Sequence, residues 1–208
     1  MKNFTKSALY LAMLSAPFIS LSSTAETVDG HDFSYQYIEA ASINSKADKL
    51  DDESLTGFGL QASFEMTNNV YLKVLYAKSD ADISAQQNFN VDSKSYYLGV
   101  GYFESLNTDT DWYTELAVDK LKATFIGDEG NDFDDTIYSY SATIGLRHQL
   151  FTDAEIEGSL KHLYNQNGSE FSARVGAYYS VFDYVDVGVN YEFGTEIDTL
   201  AASIRVEF

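Results

Sequence analysis

Residues 199–208 read TLAASIRVEF, and this stretch decides the fold. Leu200, Ala202, Ile204, Val206 and Phe208 share one parity; Ala201, Ser203, Arg205 and Glu207 share the other. Alternate side chains of a strand point to opposite faces. The stretch is therefore a ribbon with one apolar face and one small, polar face that carries both charge signs.

The same alternation recurs upstream. Segments 56–66, 70–78, 94–103, 112–125, 136–148, 154–163, 171–181 and 185–193 each set an apolar parity against a polar one, as in Val187, Val189, Tyr191 and Phe193 against Gly188, Asn190 and Glu192. Segment 33–44 fits poorly. Phe33, Tyr35 and Tyr37 share a parity, and continuing it puts Glu39 on the apolar face. A bulge near Ile38 would repair the register, or Glu39 lies at a membrane rim, where a charge costs little. Ten strands result. The connectors alternate: long polar links at 45–55, 79–93, 127–135, 164–170 and 194–198, and tight ones such as Thr67-Asn68-Asn69 and Phe182-Asp183-Tyr184. Asn and Asp suit tight turns because they tolerate left-handed backbone geometry.

Composition narrows the class. Acidic side chains outnumber basic ones 32 to 13, for a formal net charge of −19. Phosphate backbones need basic partners, so nucleic-acid binding is disfavoured. There is no cysteine, and the one proline is Pro17. Tyr (16) and Phe (14) are plentiful, which suits strands and disfavours disorder. Residues 1–25 have the form of a secretory signal peptide: Lys2 and Lys6, an apolar run from Ala8 to Leu21, then Ser23-Thr24-Ala25. That run is too short for a transmembrane helix, which needs about 20 residues. The expected division is a signal peptide at 1–25 and one barrel domain at 26–208.

Periodicity alone does not say which face is inside. The apolar parities stay free of charge over about five alternate positions, enough for strands of about 9–11 residues to cross a hydrocarbon layer. Tyr96, Tyr102, Trp112, Tyr138, Tyr179 and Phe193 sit near segment ends, as interfacial girdles require. These features favour an apolar face turned to lipid over a soluble barrel or sandwich. Residues 199–208 resemble the closing strand of Gram-negative outer-membrane β-barrels. The resemblance implies that Ile204, Val206 and Phe208 form the C-terminal signal read by the barrel-insertion machinery. Taken whole, the chain resembles the small OmpA-like and opacity-like outer-membrane barrels. The expected fold is all-β: a closed antiparallel up-and-down transmembrane barrel of about ten strands, with eight strands as the alternative.

The polar parity then lines a lumen. It offers Glu65, Lys73, Glu115, Asp119, Arg147, Glu157, Lys161, Arg174, Asp186, Glu192, Arg205 and Glu207. Small barrels are just wide enough for side chains to fill, so paired charges plugging the lumen are favoured over an ion pathway. Asp48, Asp51, Asp52, Glu53, Asp128, Glu129, Asp132, Asp134 and Asp135 make the links between segments acidic. Carboxylates there could hold divalent cations that bridge to lipopolysaccharide, but GDEGNDFDD lacks the spacing of an EF-hand loop. His31, His148 and His162 show no recognisable nucleophile–base partner, and His162 is followed by Leu163-Tyr164 rather than by His-x-Ser. Gly57, Gly59, Gly99 and Gly101 lie mid-strand and are expected to relieve lumen crowding. The expected partners are outer-membrane lipid and lipopolysaccharide, the insertion machinery and divalent cations, with no cofactor and no nucleic acid. The function expected is a non-enzymatic structural or surface-interaction role, then a narrow porin-like channel, then a lipid A or peptide hydrolase.

Overall fold

A computed structural model describes residues 33–47, 54–83, 89–127, 133–195 and 197–208. The signal segment, His31, and the loop acids Asp48, Asp51, Asp52, Glu53, Asp128, Glu129 and Asp132 lie outside the described residues.

Ten strands form the chain: β1 Tyr37–Ala47, β2 Ser54–Thr67, β3 Val70–Ile83, β4 Phe89–Asn107, β5 Thr110–Gly127, β6 Phe133–Phe151, β7 Ala154–Asn165, β8 Gly168–Phe182, β9 Val185–Phe193 and β10 Ile197–Glu207. Each pairs antiparallel with its chain neighbours, and β1 closes on β10 without a register break, from Tyr37 opposite Glu207 to Ala47 opposite Ile197. Closure leaves no sheet edge and pairs the ladder groups throughout. Ten strands in one sheet exclude the eight-strand alternative.

From β2 to β10 the expected apolar parities point outward. Leu116, Ile144, Leu160, Val189 and Ile204 are all half-exposed or more, while their neighbours Glu115, Thr143, Lys161, Asn190 and Arg205 are buried. This is the reverse of a soluble protein, whose large apolar patches rarely exceed a few hundred Å². Rings gather toward both ends of this outer band. Tyr102, Trp112, Phe64 and Phe208 lie near the tight-turn rim, and Tyr76, Tyr96 and Tyr138 toward the other.

The first segment departs from expectation. There is no bulge at Ile38, and Glu39 is not at a rim. Phe33, Tyr35, Tyr37, Glu39, Ala41 and Ile43 all face the interior, and Ile38 faces out. The aromatic parity of this segment is luminal, and its rings are buried beside the Arg147 and Arg205 guanidiniums.

The tight turns share one construction. A two-residue turn follows a register shift between Glu65 and Thr67, Ser105 and Asn107, Gln149 and Phe151, and Ser180 and Phe182. The residue skipped is large and apolar each time: Met66, Leu106, Leu150 and Val181. A bulge adds twist and bends the strand pair. At the opposite rim, three expected long links are much shorter. Strand pairing continues to Ile83 opposite Phe89 and to Phe125 opposite Phe133, so β3 to β6 rise well beyond the apolar band. Between β7 and β8 only Gln166 and Asn167 remain. Asn165 Oδ1 accepts the Asn167 N–H at 2.7 Å, and Gly168 takes φ +143°, a left-handed value that favours glycine.

Candidate functional site

The lumen holds the chemistry. Every strand contributes to it by alternation, so positions distant in sequence converge on a shared axis.

Toward the tight-turn end, Arg147 is fully buried and donates from Nε and Nη2 to the two oxygens of Glu155, at 3.0 and 2.8 Å. Such a fork on a carboxylate is a strong, oriented pair. Its guanidinium carbon lies 4.4 Å from the Phe33 ring centre and 5.0 Å from that of Tyr35. Tyr35 stacks on Phe103 at 3.8 Å and on Tyr71 at 4.9 Å. The Tyr35 N–H donates to Glu65 Oε1 at 2.8 Å. The Phe33 and Tyr35 rings therefore lie inside this mouth. Glu65, expected to join the charge network, instead holds the backbone at Tyr35. Asp111 accepts from Ser105 Oγ nearby.

Arg205 stands further along the axis. Register places it directly opposite Glu39 on β1 and Asp186 on β9. Its Nε is 3.6 Å from Glu39, and its Nη1 is 3.5 Å from Asp186 and 3.9 Å from Glu207. The rings of Tyr178 and Tyr37 flank its guanidinium at 4.2 and 5.1 Å. Cations over desolvated aromatic faces gain up to about 2 kcal/mol each.

Toward the long-strand end, Lys73 pairs with Glu115 across β4. Arg174 faces Glu192 at 3.5 Å, and Ser172 Oγ donates to the same carboxylate at 2.7 Å. Lys161 lies 5.9 Å from the Tyr97 ring centre. Asp119 accepts from Ser141 Oγ at 3.0 Å, and Glu157 accepts from the Tyr113 hydroxyl. The sequence-predicted luminal residues thus face one interior, distributed over several local pairs. Two internal spaces among the described residues are small: about 10 Å³ among Lys73, Tyr97, Glu115, Lys161 and Arg174, and about 20 Å³ beside Phe33, Glu155 and Asp186. Each is about the size of a single water site.

Sequence reasoning missed the rings and two acids. Glu39, Glu155, Tyr35, Tyr37, Tyr71, Tyr113 and Tyr178 are buried luminal groups. A signal for some of them was present. Tyr71 lies opposite Gly101, Tyr113 opposite Gly145, and Tyr178 opposite Gly188. A Cβ built at each glycine would come within about 2.0–2.4 Å of the ring. The tyrosine lies over its cross-strand partner and leaves no room for a side chain there, so a Tyr opposite a Gly in the polar parities of adjacent strands marks a ring laid along the inner wall. The expectation that Gly99 and Gly101 relieve crowding agrees with this geometry.

Outside the lumen, His162 faces outward and stacks on Phe171 at 4.4 Å. His148 Nδ1 meets Thr110 Oγ1 at 3.0 Å near the tight-turn rim. Asp134, expected in a loop, lies on β6 and pairs with Lys122 at 2.8 Å. Among the described residues no cluster of His, Asp or Glu is arranged to hold a metal. Ile204, Val206 and Phe208 all point outward, and Phe208 meets Phe64 at 6.0 Å.

No protein-family model matches the chain, and no curated protein matches it in sequence. Solved structures do. The transport unit of the autotransporter AIDA-I from Escherichia coli aligns with a TM-score of 0.53 at 9% identity, over 98% of this chain and 97% of that one. The fold is that of the outer-membrane β-barrels. The NanC porin aligns with a TM-score of 0.52 at 7% identity, over 82% of this chain and 100% of its own. The translocator domain of the autotransporter NalP from Neisseria meningitidis gives 0.50 at 8% identity, over 100% and 96%. At such identities the likeness is one of architecture, and function has to be argued from this barrel's own side chains.

Proposed function

We propose that this protein is an outer-membrane barrel with a sealed lumen, serving as a structural or surface-interaction element without catalysis. Its apolar band lies in the bilayer, its tight turns face the periplasm, and the raised walls of β3 to β6 stand at the cell surface. The observation that carries the seal is the stacked set Arg147, Phe33, Tyr35 and Phe103 across the tight-turn mouth. Arg205 between Tyr37 and Tyr178 supports it from within. Buried charges are tolerated when paired, and breaking one pair is costly, so the lattice resists opening. Ile204, Val206 and Phe208 serve as the insertion signal, and the acidic links remain the candidate contact with divalent cations.

The test is planar-bilayer conductance of the purified full chain. The expected record is flat, with no steady ohmic step. Reproducible unitary conductance that changes on Arg147→Gln or Arg174→Gln would replace this reading with the narrow channel. The polar void beside Lys73, Lys161 and Arg174 is what favours that second reading. The hydrolase reading stays third: loss of a lipid or peptide hydrolysis on His162→Ala would revive it.

A further inference from the structure

The outer walls of β3 to β6 are stratified along the hydrogen-bonding direction. In one row Tyr76 is opposite Tyr96, Tyr96 opposite Lys120, and Lys120 opposite Tyr138. Two residues further from the apolar band, Lys78 is opposite Lys94, Lys94 opposite Lys122, and Lys122 opposite Thr136. Two residues further again, Asp80 is opposite Asp92, Asp92 opposite Thr124, and Thr124 opposite Asp134. The order from the band outward is aromatic, then basic, then acidic.

Three lysines directly opposite one another are unfavourable as a sheet ornament. Their Cβ atoms are about 5 Å apart from strand to strand, and like charges so placed destabilise the pairing. Two of the three are partly offset, by Lys78–Asp92 at 3.2 Å and Lys122–Asp134 at 2.8 Å. Lys94, flanked by both, makes no ion pair among the described residues. The distribution of cations is also uneven. Of the described Lys and Arg, Lys73, Arg147, Lys161, Arg174 and Arg205 face the lumen. Those facing out are Lys46, Lys78, Lys94, Lys120 and Lys122, and four of these five share this one patch. None faces out near the tight turns. In a chain of net charge −19, such clustering calls for an external anion.

We propose that Lys78, Lys94 and Lys122 form a site on the outer wall for the phosphorylated headgroup of an anionic membrane lipid. The proposal rests on the reading that the apolar band lies in a bilayer. Direction favours a lipid over a soluble polyanion. The lysines point away from the barrel axis, next to the Tyr76 and Tyr96 rings, whose other side continues into Val74, Leu98 and Val118. A lipid can place phosphate on the lysines and chains along that apolar surface. A soluble anion coming from beyond the wall meets Asp80, Asp92 and Asp134 first. Lys120, 5.6 Å from the Tyr138 ring centre, adds a fourth cation at the chain side of the headgroup.

The probe is bisphosphorylated lipid A, offered in mixed micelles to the full chain folded in detergent, with bound lipid counted by native mass spectrometry. A dephosphorylated lipid A and a soluble dextran sulfate are run beside it. Wild type is expected to retain the phosphorylated lipid. Each Lys→Gln change should weaken retention about fivefold, so that Lys78→Gln/Lys94→Gln/Lys122→Gln loses it. Asp80→Asn/Asp92→Asn should strengthen it. Equal retention by wild type and the triple variant, or equal retention of the dephosphorylated lipid, overturns the site. Binding of dextran sulfate without lipid A also overturns it. Insertion into phosphatidylcholine vesicles is measured in parallel. Proteins that insert yet show no phosphate dependence remove only the lipid site, whereas a chain that stays monomeric in water without detergent removes the membrane reading as well.

Discussion

Replacing Arg205 with Met is the sharpest perturbation of the interior. The guanidinium faces Glu39, Asp186 and Glu207 within 3.5–3.9 Å and lies between two tyrosine rings. Arg205 is essentially inaccessible, as are Glu39 and Glu207. Removing the cation leaves three carboxylates close together without their shared partner. Loss of one member of a buried ion pair typically costs ~3–5 kcal/mol. With a urea slope of about 2 kcal/mol per M, the midpoint should fall by roughly 1.5–2.5 M. Trp112 is the single tryptophan and sits on the outer wall beside Tyr102, at 5.8 Å between ring centres. Its fluorescence in lipid vesicles therefore reports unfolding without an added label. Neutralising the acids as well, in Arg205→Met/Glu39→Gln/Asp186→Asn/Glu207→Gln, should recover most of the loss, because no unpaired charge remains. A midpoint for Arg205→Met within about 0.5 M of wild type, corresponding to about 1 kcal/mol, would refute the argument. The luminal charges would then be solvated, as in an open pore.

Gly101→Ala should destabilise by about 1–3 kcal/mol through overpacking against Tyr71, and Tyr71→Leu in the same chain should relieve it; the same urea titration decides. Leu116, midway between Trp112 and the Lys120 row, should cost about 2–4 kcal/mol as Lys, whereas Ile126→Lys, beyond the band, should cost less than about 1 kcal/mol; equal costs would place the band wrongly. Phe33→Ala/Tyr35→Ala should introduce unitary conductance in planar bilayers where wild type shows none. The hydrogen bond from Lys122 holds the Asp134 carboxyl below the usual range and, acting on its partner, raises the Lys122 ammonium. Asp134's share of the pairing is therefore present above the ordinary aspartate pKa and lost as pH falls through its own lower value. Lys122's share is present below the ordinary lysine pKa and lost as pH rises through its higher one. A carboxyl-carbon NMR titration should show this, with Lys122→Gln returning Asp134 toward the ordinary range.

The outward face of β2 to β10 was readable because hydrocarbon imposes a strict rule: every second residue must be apolar. Where that rule lapses, the reading lapsed with it. Above the band the outward parity turns polar and the inward one apolar: Ala81 and Val91 are buried with Leu55 and Ala123 while Asp80 and Asp92 face out, so residues 79–83 and 89–93 break the outward-apolar rule and look like loop. Hairpin pairing holds them as strand. Segment 33–44 failed for a different reason. Phe33, Tyr35 and Tyr37 are apolar enough for lipid, yet all three are buried on the luminal side, where they meet the Arg147 and Arg205 guanidiniums. Glu39 was the clue: with the β1–β10 register unbroken, its parity and that of the three rings is luminal. The charged members of the lumen were legible from parity. Their partners were not, because Arg205 meets Glu39 and Asp186 only once the β1–β10 seam and the β9–β10 hairpin fix the register.

The luminal rings Phe33 and Tyr35 and the seam belong to neighbouring stretches of one chain. Residues 33–36 run directly into β1, the strand whose union with β10 turns a curled sheet into a cylinder. The Phe208 N–H reaches the Gln36 carbonyl at 3.4 Å, where that stretch meets the wall. Zipping the final hairpinless interface and seating the Phe33 and Tyr35 rings are thus mechanically one event, and any force that peels β1 from β10 would pull on those rings as well.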